Sequence, residues 1–441
     1  MYSKLRYVLN LGAIFSAKLG SIIVSVVFLP IFNKIFGAED FGIITLIISL
    51  QTLLITLDLG MSILTGRDSA YETRDKFYNT LKSAERLICF SYLILTIFSV
   101  ACTFIAYDFE LSVKTLFACL LFLSLTLQNI YYSSLNGRQK YVTNAIFQLV
   151  GSFSRAIITL AVVFYIETSV TAFLLAQCVV SLLNLAFIRL KLGKIYPEFN
   201  SKLDVSFRQL KDIAKRGKEL MLYGMAGAAI MQLDKSLISI TNGPEELGPY
   251  FLAFSFCMLP ISALATPIVQ FFQPKLFHYY SEGDKLGFGK NCKHFAFALV
   301  CLVIIPSLGA YVYSDEIVKF WLGNVENKSF VSDYVQLMMP GMIFASFGYI
   351  PVSLLLMVQD YRFQAILAWL SCFVVLLFVS LFSYFGKMQY ICILYSLYFI
   401  LTTVACWIRA MNIDEIKSES AFCIKLFTVP FMFLVFIFVV F

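Results

Sequence analysis

Five ionisable side chains lie inside otherwise apolar runs of this sequence: Lys18, Asp58, Arg155, Asp234 and Lys235. A charge in hydrocarbon is costly, so each must face a polar cavity, meet a partner or reach the interface on a long stem. At the rise of an α-helix, Lys18 sits about 10 Å from one end of its run and Asp58 about 9 Å from the corresponding end of the next. The matched depths predict a Lys18–Asp58 contact, either structural or part of a substrate path. Arg155 sits about 20 Å along its run, and Asp234 and Lys235 about 23 Å along theirs. An Arg155–Asp234 link is therefore expected as a gate. Asp234 and Lys235, being adjacent, should not face each other across one helix. Three cations against two carboxylates leave an excess positive charge, and Arg67, Arg138 and Lys140 add a basic rim. Guanidinium and ammonium groups suit phosphate oxygens, so this balance predicts an anionic or phosphate-bearing ligand; a carrier of cations would more naturally show surplus carboxylates. The competing account of the rim charges is that they only set topology.

No covalent chemistry is legible. There is no phosphate-binding glycine loop with its lysine, no serine elbow and no paired carboxylates in the aqueous loops. The 11 Cys are scattered, nearly all within apolar runs, and with 2 His they form no ligand spacing for a metal. The expectation is a protein that is not an enzyme and has no cofactor, driven by a proton or sodium gradient, by its substrate's own gradient or by an unseen partner. Nucleic acid is not expected as a partner, because the net charge of +7 resides in short loops between apolar runs.

The elements that must position these residues follow from composition. The chain has 441 residues, 60% of them hydrophobic and only 14% charged, against about a quarter charged in soluble domains. Runs long enough to cross a bilayer as helices cover 11–32, 41–64, 84–107, 112–134, 142–165 and 169–190, then 219–240, 247–271, 292–313, 331–357, 363–385 and 388–408. A thirteenth run, 421–441, either crosses the membrane or forms a re-entrant or surface-lying segment. The first run is read as a span, not a removable signal peptide. With the N-terminus inside, 26 of the 34 Lys/Arg fall on the cytoplasmic side and five outside, the bias expected of that orientation. The fold class expected is an all-α polytopic membrane protein with 12 core transmembrane helices in two six-helix bundles. Its domains are an N-terminal bundle (1–190), a basic linker with an interfacial amphipathic helix (191–218), a C-terminal bundle (219–408), and a cytoplasmic turn with the last hydrophobic segment (409–441).

The halves repeat. Gly37-Ala-Glu39-Asp40-Phe41-Gly42 matches Gly243-Pro-Glu245-Glu246-Leu247-Gly248 at an offset of 206, and Gln139-Lys-Tyr141 with Ala145-Ile146 matches Gln359-Asp-Tyr361 with Ala365-Ile366 at 220. Same-order matches with six runs per half predict repeats related by an axis along the membrane normal. Prolines concentrate in the second half, and Pro260, Pro267 and Pro274 should bend the eighth run.

The entry Phe32-Asn-Lys-Ile-Phe-Gly-Ala-Glu-Asp-Phe-Gly-Ile, Asp58-Leu-Gly-Met, Leu135-Asn-Gly-Arg-Gln-Lys, Gln232-Leu-Asp-Lys-Ser-Leu-Ile and Gly243-Pro-Glu-Glu-Leu-Gly-Pro-Tyr resemble bacterial polysaccharide biosynthesis exporters. These are the O-antigen and capsule repeat-unit flippases of the multidrug/oligosaccharidyl-lipid/polysaccharide superfamily. The resemblance covers roughly residues 5–408. It implies a MATE-like fold and an inner-membrane carrier of undecaprenyl-pyrophosphate-linked oligosaccharide, among membrane lipids and in association with polymerase and chain-length machinery. By that implication Lys18, Arg155 and Lys235 would contact pyrophosphate or acidic sugar, and Asp58 and Asp234 would couple ions or gate. The competing expectations are a multidrug/cation antiporter of the same fold, a membrane polysaccharide polymerase, for which the outer loops are short, and a scaffold.

Overall fold

Where no water reaches the backbone, every peptide group must find its partner within its own segment, and a helix is the local solution. A computed structural model of the chain follows that rule; it describes residues 2–56, 58–71, 74–138, 140–195, 207–323, 328–358 and 360–427. The helices are α1 (Tyr2–Thr56), α2 (Met61–Tyr71), α3 (Arg74–Ala106), α4 (Phe109–Gly137), α5 (Tyr141–Tyr165), α6 (Val170–Ile195), α7 (Phe207–Asn242), α8 (Pro244–Pro260), α9 (Thr266–Ser281), α10 (Lys285–Leu299), α11 (Ile305–Val312), α12 (Ser314–Leu322), α13 (Lys328–Ala345), α14 (Tyr349–Met357), α15 (Tyr361–Tyr384) and α16 (Met388–Met411). Among the described residues ten helices are long and apolar enough to cross a membrane. The chain is a multi-pass membrane protein.

Two of the runs expected from sequence are joined. Those at 11–32 and 41–64 share α1, which breaks at Gly37 (φ 74°, ψ −175°), a conformation open to glycine and strained for other residues. The second of these runs is not one helix: it is interrupted before α2, where Leu59 and Gly60 both have positive φ. The stretch 207–221, expected as an amphipathic helix, is the start of α7; Ile213 is buried while Lys211, Asp212 and Lys215 are exposed. Residues 417–427 are helical, and the rest of the thirteenth run lies outside the described residues.

The prolines act through wide turns. Between α8 and α9, residues Ile261–Ala265 form a π-helical turn in which the Thr266 N–H reaches the Ile261 carbonyl. A second, Val300–Ile304, precedes Pro306. Proline cannot donate to the carbonyl four residues back and its ring crowds it; a wider turn beside it relieves both problems without ending the helix.

The chain divides into two compact units, Met1–Ser236 and Leu237–Phe441. In the first, α3, α2 and α6 pack on α4, and α5 packs on α1 and α6; in the second, α8, α12 and α16 pack on α13, and α15 packs on α16. The internal repeat reaches the backbone. Arg138 N–H donates to the Ser134 carbonyl, Lys140 to Leu135 and Asn144 to Lys140; Val358, Asp360 and Gln364 donate to Leu354, Leu355 and Asp360 in the same pattern, 220 residues on. Gly243 (φ 87°) repeats the left-handed backbone of Gly37.

Candidate functional site

α4 is the spine of the first unit, and its polar residues recur at helical spacing. Ser124, Gln128 and Tyr132 are four apart and so share a face. The Gln128 amide donates to the Ser181 carbonyl of α6 (2.9 Å) and to Ser124 Oγ (3.2 Å). Its oxygen accepts from Asn184 Nδ2 (2.9 Å) and from the Tyr132 hydroxyl (3.2 Å). Every polar atom of that amide is thus satisfied, as a buried group requires. α5 faces this cluster with a stripe of its own. Asn144 Nδ2 donates to Asn136 Oδ1 (2.7 Å) at the end of α4, and Gln148 donates to Asn144 (3.2 Å). Further along α5, Arg155 Nε donates to the Gly151 carbonyl (3.3 Å).

At Gly151, α5 passes close to Asn184 of α6. A Cβ there would lie 2.3 Å from Asn184 Nδ2, so any side chain would displace the asparagine. The absence of a side chain lets Arg155 reach the α4–α6 cluster, where it interacts electrostatically with Tyr132. The half-buried Arg155 guanidinium is given no carboxylate by any described residue. The outcome is a row of polar side chains about 16 Å long by helix rise, from Asn136 and Asn144 to Arg155 beside Tyr132.

Of the residues expected from sequence, Arg138 and Lys140 lie at the turn where the row begins. Arg138 is half-buried with its guanidinium carbon 4.7 Å from the Phe77 ring centre, and Lys140 is exposed. The backbones of Lys18 and Arg67 lie in α1 and α2, but their side chains are outside the described residues, and so is the expected Lys18–Asp58 contact. Asp58 is buried at 2% exposure and caps α2: its carboxylate accepts from the Ser62 N–H (2.8 Å) and faces the backbone N–H groups of Gly60 and Met61. Asp58→Ala should therefore cost about 1 kcal/mol of stability, as the loss of a cap does, while Asp58→Asn keeps most of it; thermal midpoints of the purified proteins measure both. A stable Asp58→Asn protein that no longer transports would give Asp58 a part in transport beyond capping.

One expectation about the remaining charges is corrected. Asp234 and Lys235 do pair, with Lys235 Nζ 3.0 Å from Asp234 Oδ1, at 0% and 1% exposure. The long lysine stem spans the angle between neighbouring helix positions, and Nζ also donates to the Met231 carbonyl one turn back. Removed from water, the two charges can be accommodated only together. Arg155 and Asp234 form no ion pair in this conformation. One charge escaped the sequence reading: Glu85 of α3, at the start of the run 84–107, accepts from the Tyr131 hydroxyl and lies 3.6 Å from Arg189 Nη2.

Among solved structures, an inward-facing multidrug resistance MATE family transporter of the MOP superfamily superposes with a TM-score of 0.71 at 12% identity, covering 94% of this chain and 99% of that one. A MOP superfamily transporter from Pyrococcus furiosus, whose binding pocket is described as having reversed polarity, gives 0.63 at 13% identity, covering 91% and 95%. A MATE transporter in complex with MaL6 also gives 0.63 at 13%, covering 94% and 97%. No curated protein matches the chain. The profile of the polysaccharide biosynthesis proteins matches residues 31–329. The chain belongs to the polysaccharide biosynthesis protein family and has the fold of the MATE transporters.

Proposed function

We propose that this protein is a flippase that moves polyprenyl-pyrophosphate-linked oligosaccharide units, specifically undecaprenyl-linked repeat units of O-antigen or capsule, from the cytoplasmic to the periplasmic leaflet of a bacterial inner membrane. The observation that carries this reading is Arg155, half-buried beside Tyr132 and given no carboxylate by the described residues. Such a cation suits phosphate or acidic sugar. The polyprenyl tail can stay in the bilayer while the polar head follows the row of polar side chains, which avoids the desolvation penalty that blocks spontaneous flipping. No bond is made or broken in this process. The N-terminus is cytoplasmic in this scheme, a proton or sodium gradient drives the cycle, and polymerase and chain-length proteins take the product.

In a strain lacking the gene, completed lipid-linked repeat units are expected to accumulate on the cytoplasmic leaflet while surface polysaccharide falls, with both restored by the wild-type gene. Units that reach the periplasmic leaflet without being polymerised would move the assignment to a polymerase. Unchanged polysaccharide would move it to a multidrug or cation antiporter.

A further inference from the structure

The two units join matching spans in different ways. In the first, α3 ends at Ala106 and α4 begins at Phe109, so Tyr107 and Asp108 alone connect them. At the offsets of 206 and 220 that relate the halves, Ala106 corresponds to Val312 and Phe109 to Ser329. The second unit places residues 313–327 in that connection, and they include α12. Two residues are enough to turn the chain between these spans, so α12 is an addition that topology does not require.

One side of α12 is fixed to the protein. It packs on α13, with Val318 and Leu322 buried. Asp315 accepts from the Ser332 hydroxyl and from Gln336 Nε2 (3.0 Å), both on α13. Trp321 lies against Phe256 of α8, with ring centres 5.9 Å apart. The other side is exposed. The Ile317 N–H donates to the Tyr313 carbonyl (2.9 Å), so Tyr313 opens the first turn. Tyr313, Ile317 and Phe320 then share a face by helical spacing, at 62%, 37% and 91% exposure. The exposed Glu316 and Lys319 border this strip on one edge, and Trp321 borders it on the other.

The position of α12 decides what meets the strip. It joins two helices long and apolar enough to cross a membrane, Lys285–Val312 and Lys328–Met357, and therefore lies at the bilayer surface where both emerge. Its own 9 residues are too few to cross. Apolar exposure continues from the strip onto both neighbours, at Ile305 and Val312 before it and Phe330 after it. In water such a strip would forgo about 25 cal/mol for every Å² of apolar surface. A helix with an apolar face edged by charges is the form that lies flat in the interface, where Trp and Tyr side chains gather.

We propose that α12 is an interfacial anchor whose partner is the phospholipid bilayer. Tyr313, Ile317 and Phe320 seat at the boundary of headgroups and acyl chains, Glu316 and Lys319 turn to water, and the Asp315 hydrogen bonds hold the start of α13 at that depth. In the orientation proposed above, the leaflet is the periplasmic one. The anchor does not depend on what the protein carries.

The test uses the full-length protein with the photoreactive residue p-benzoylphenylalanine in place of Phe320, reconstituted in vesicles of phosphatidylcholine and phosphatidylglycerol. After irradiation, mass spectrometry is expected to find adducts of single phospholipids, attached at the glycerol or the upper acyl carbons. The same reporter in place of Glu316 should give about tenfold less lipid adduct. If the protein altered at 320 does not fold, the reporter replaces Tyr313. Lipid adducts equal at 320 and 316, or absent at 320, would overturn the proposal. So would adducts confined to the acyl-chain ends, which would place the strip in the hydrocarbon core. Cross-linked pairs of this chain in place of lipid adducts would make the strip a face between copies, and a cross-link to another protein on irradiation in cells would make it a docking face; either result overturns the anchor.

Discussion

Asp234→Ala should reduce the protein in the membrane fraction, because it removes the carboxylate 3.0 Å from a Lys235 ammonium buried at 1% exposure. Breaking a buried ion pair from one side costs about 3–5 kcal/mol, a large share of the 5–15 kcal/mol that typically stabilises a folded domain. Replacing both members is a different experiment. Asp234→Leu with Lys235→Met removes two charges from a low-dielectric site and fills it with side chains of similar bulk, so stability should return to the wild-type level or above. Thermal midpoints by fluorescence-detected gel filtration, with protein level by immunoblot, compare the single and double variants. If the pair is a structural staple, the double variant also transports. A double variant as stable as wild type but inactive would show instead that the pair takes part in the cycle. An Asp234→Ala protein of unchanged stability would remove the staple account outright.

Charge was the most readable feature of this chain and also the most misleading. The apolar runs predict helices correctly because hydrocarbon leaves the backbone no alternative. The repeat was visible because the Gly37 and Gly243 breaks and the turns at Lys140 and Asp360 each require particular backbone geometry, which short motifs preserve. Depth along a helix, however, does not determine a partner. Asp58 also caps its own chain reversal through backbone N–H groups, an arrangement only the local φ values reveal, while its expected contact with Lys18 lies outside the described residues. Asp234 and Lys235 were separated on the argument that neighbours on a helix diverge. That argument holds for Cβ directions and fails for a side chain with four methylenes in a site without water. Most of the candidate site is neutral: Gln128, Tyr132, Asn144, Gln148 and Asn184 do not stand out in a search for charges. Their signal was the four-residue spacing of polar side chains, Ser124 to Gln128 to Tyr132 and Asn144 to Gln148, inside runs otherwise apolar. Asn184 could not be found this way, because its role depends on the approach of α6 to Gly151.

Arg155→Gln should reduce export of lipid-linked units by roughly 10- to 100-fold, the loss expected when one charge-assisted hydrogen bond to a phosphate or carboxylate becomes a neutral one. The change should cost little stability. The guanidinium has no carboxylate partner among the described residues, so its removal leaves no opposite charge stranded, and the one hydrogen bond recorded for it is from Nε to the Gly151 carbonyl at 3.3 Å. Arg155→Lys keeps the charge without the planar fork of donors, and should recover part of the activity. Gradation in this order, glutamine below lysine below arginine at equal protein level, distinguishes an anion-binding role from a packing role, in which the two substitutions would differ by fit alone. The readout is the leaflet distribution of lipid-linked repeat units together with surface polysaccharide. The stability of Arg155→Gln sets Arg155 apart from the Asp234–Lys235 pair, whose charges destabilise when parted, whereas Arg155 is a cation beside the neutral Tyr132. A folded Arg155→Gln protein that exports at the wild-type rate would remove the observation on which the flippase reading rests.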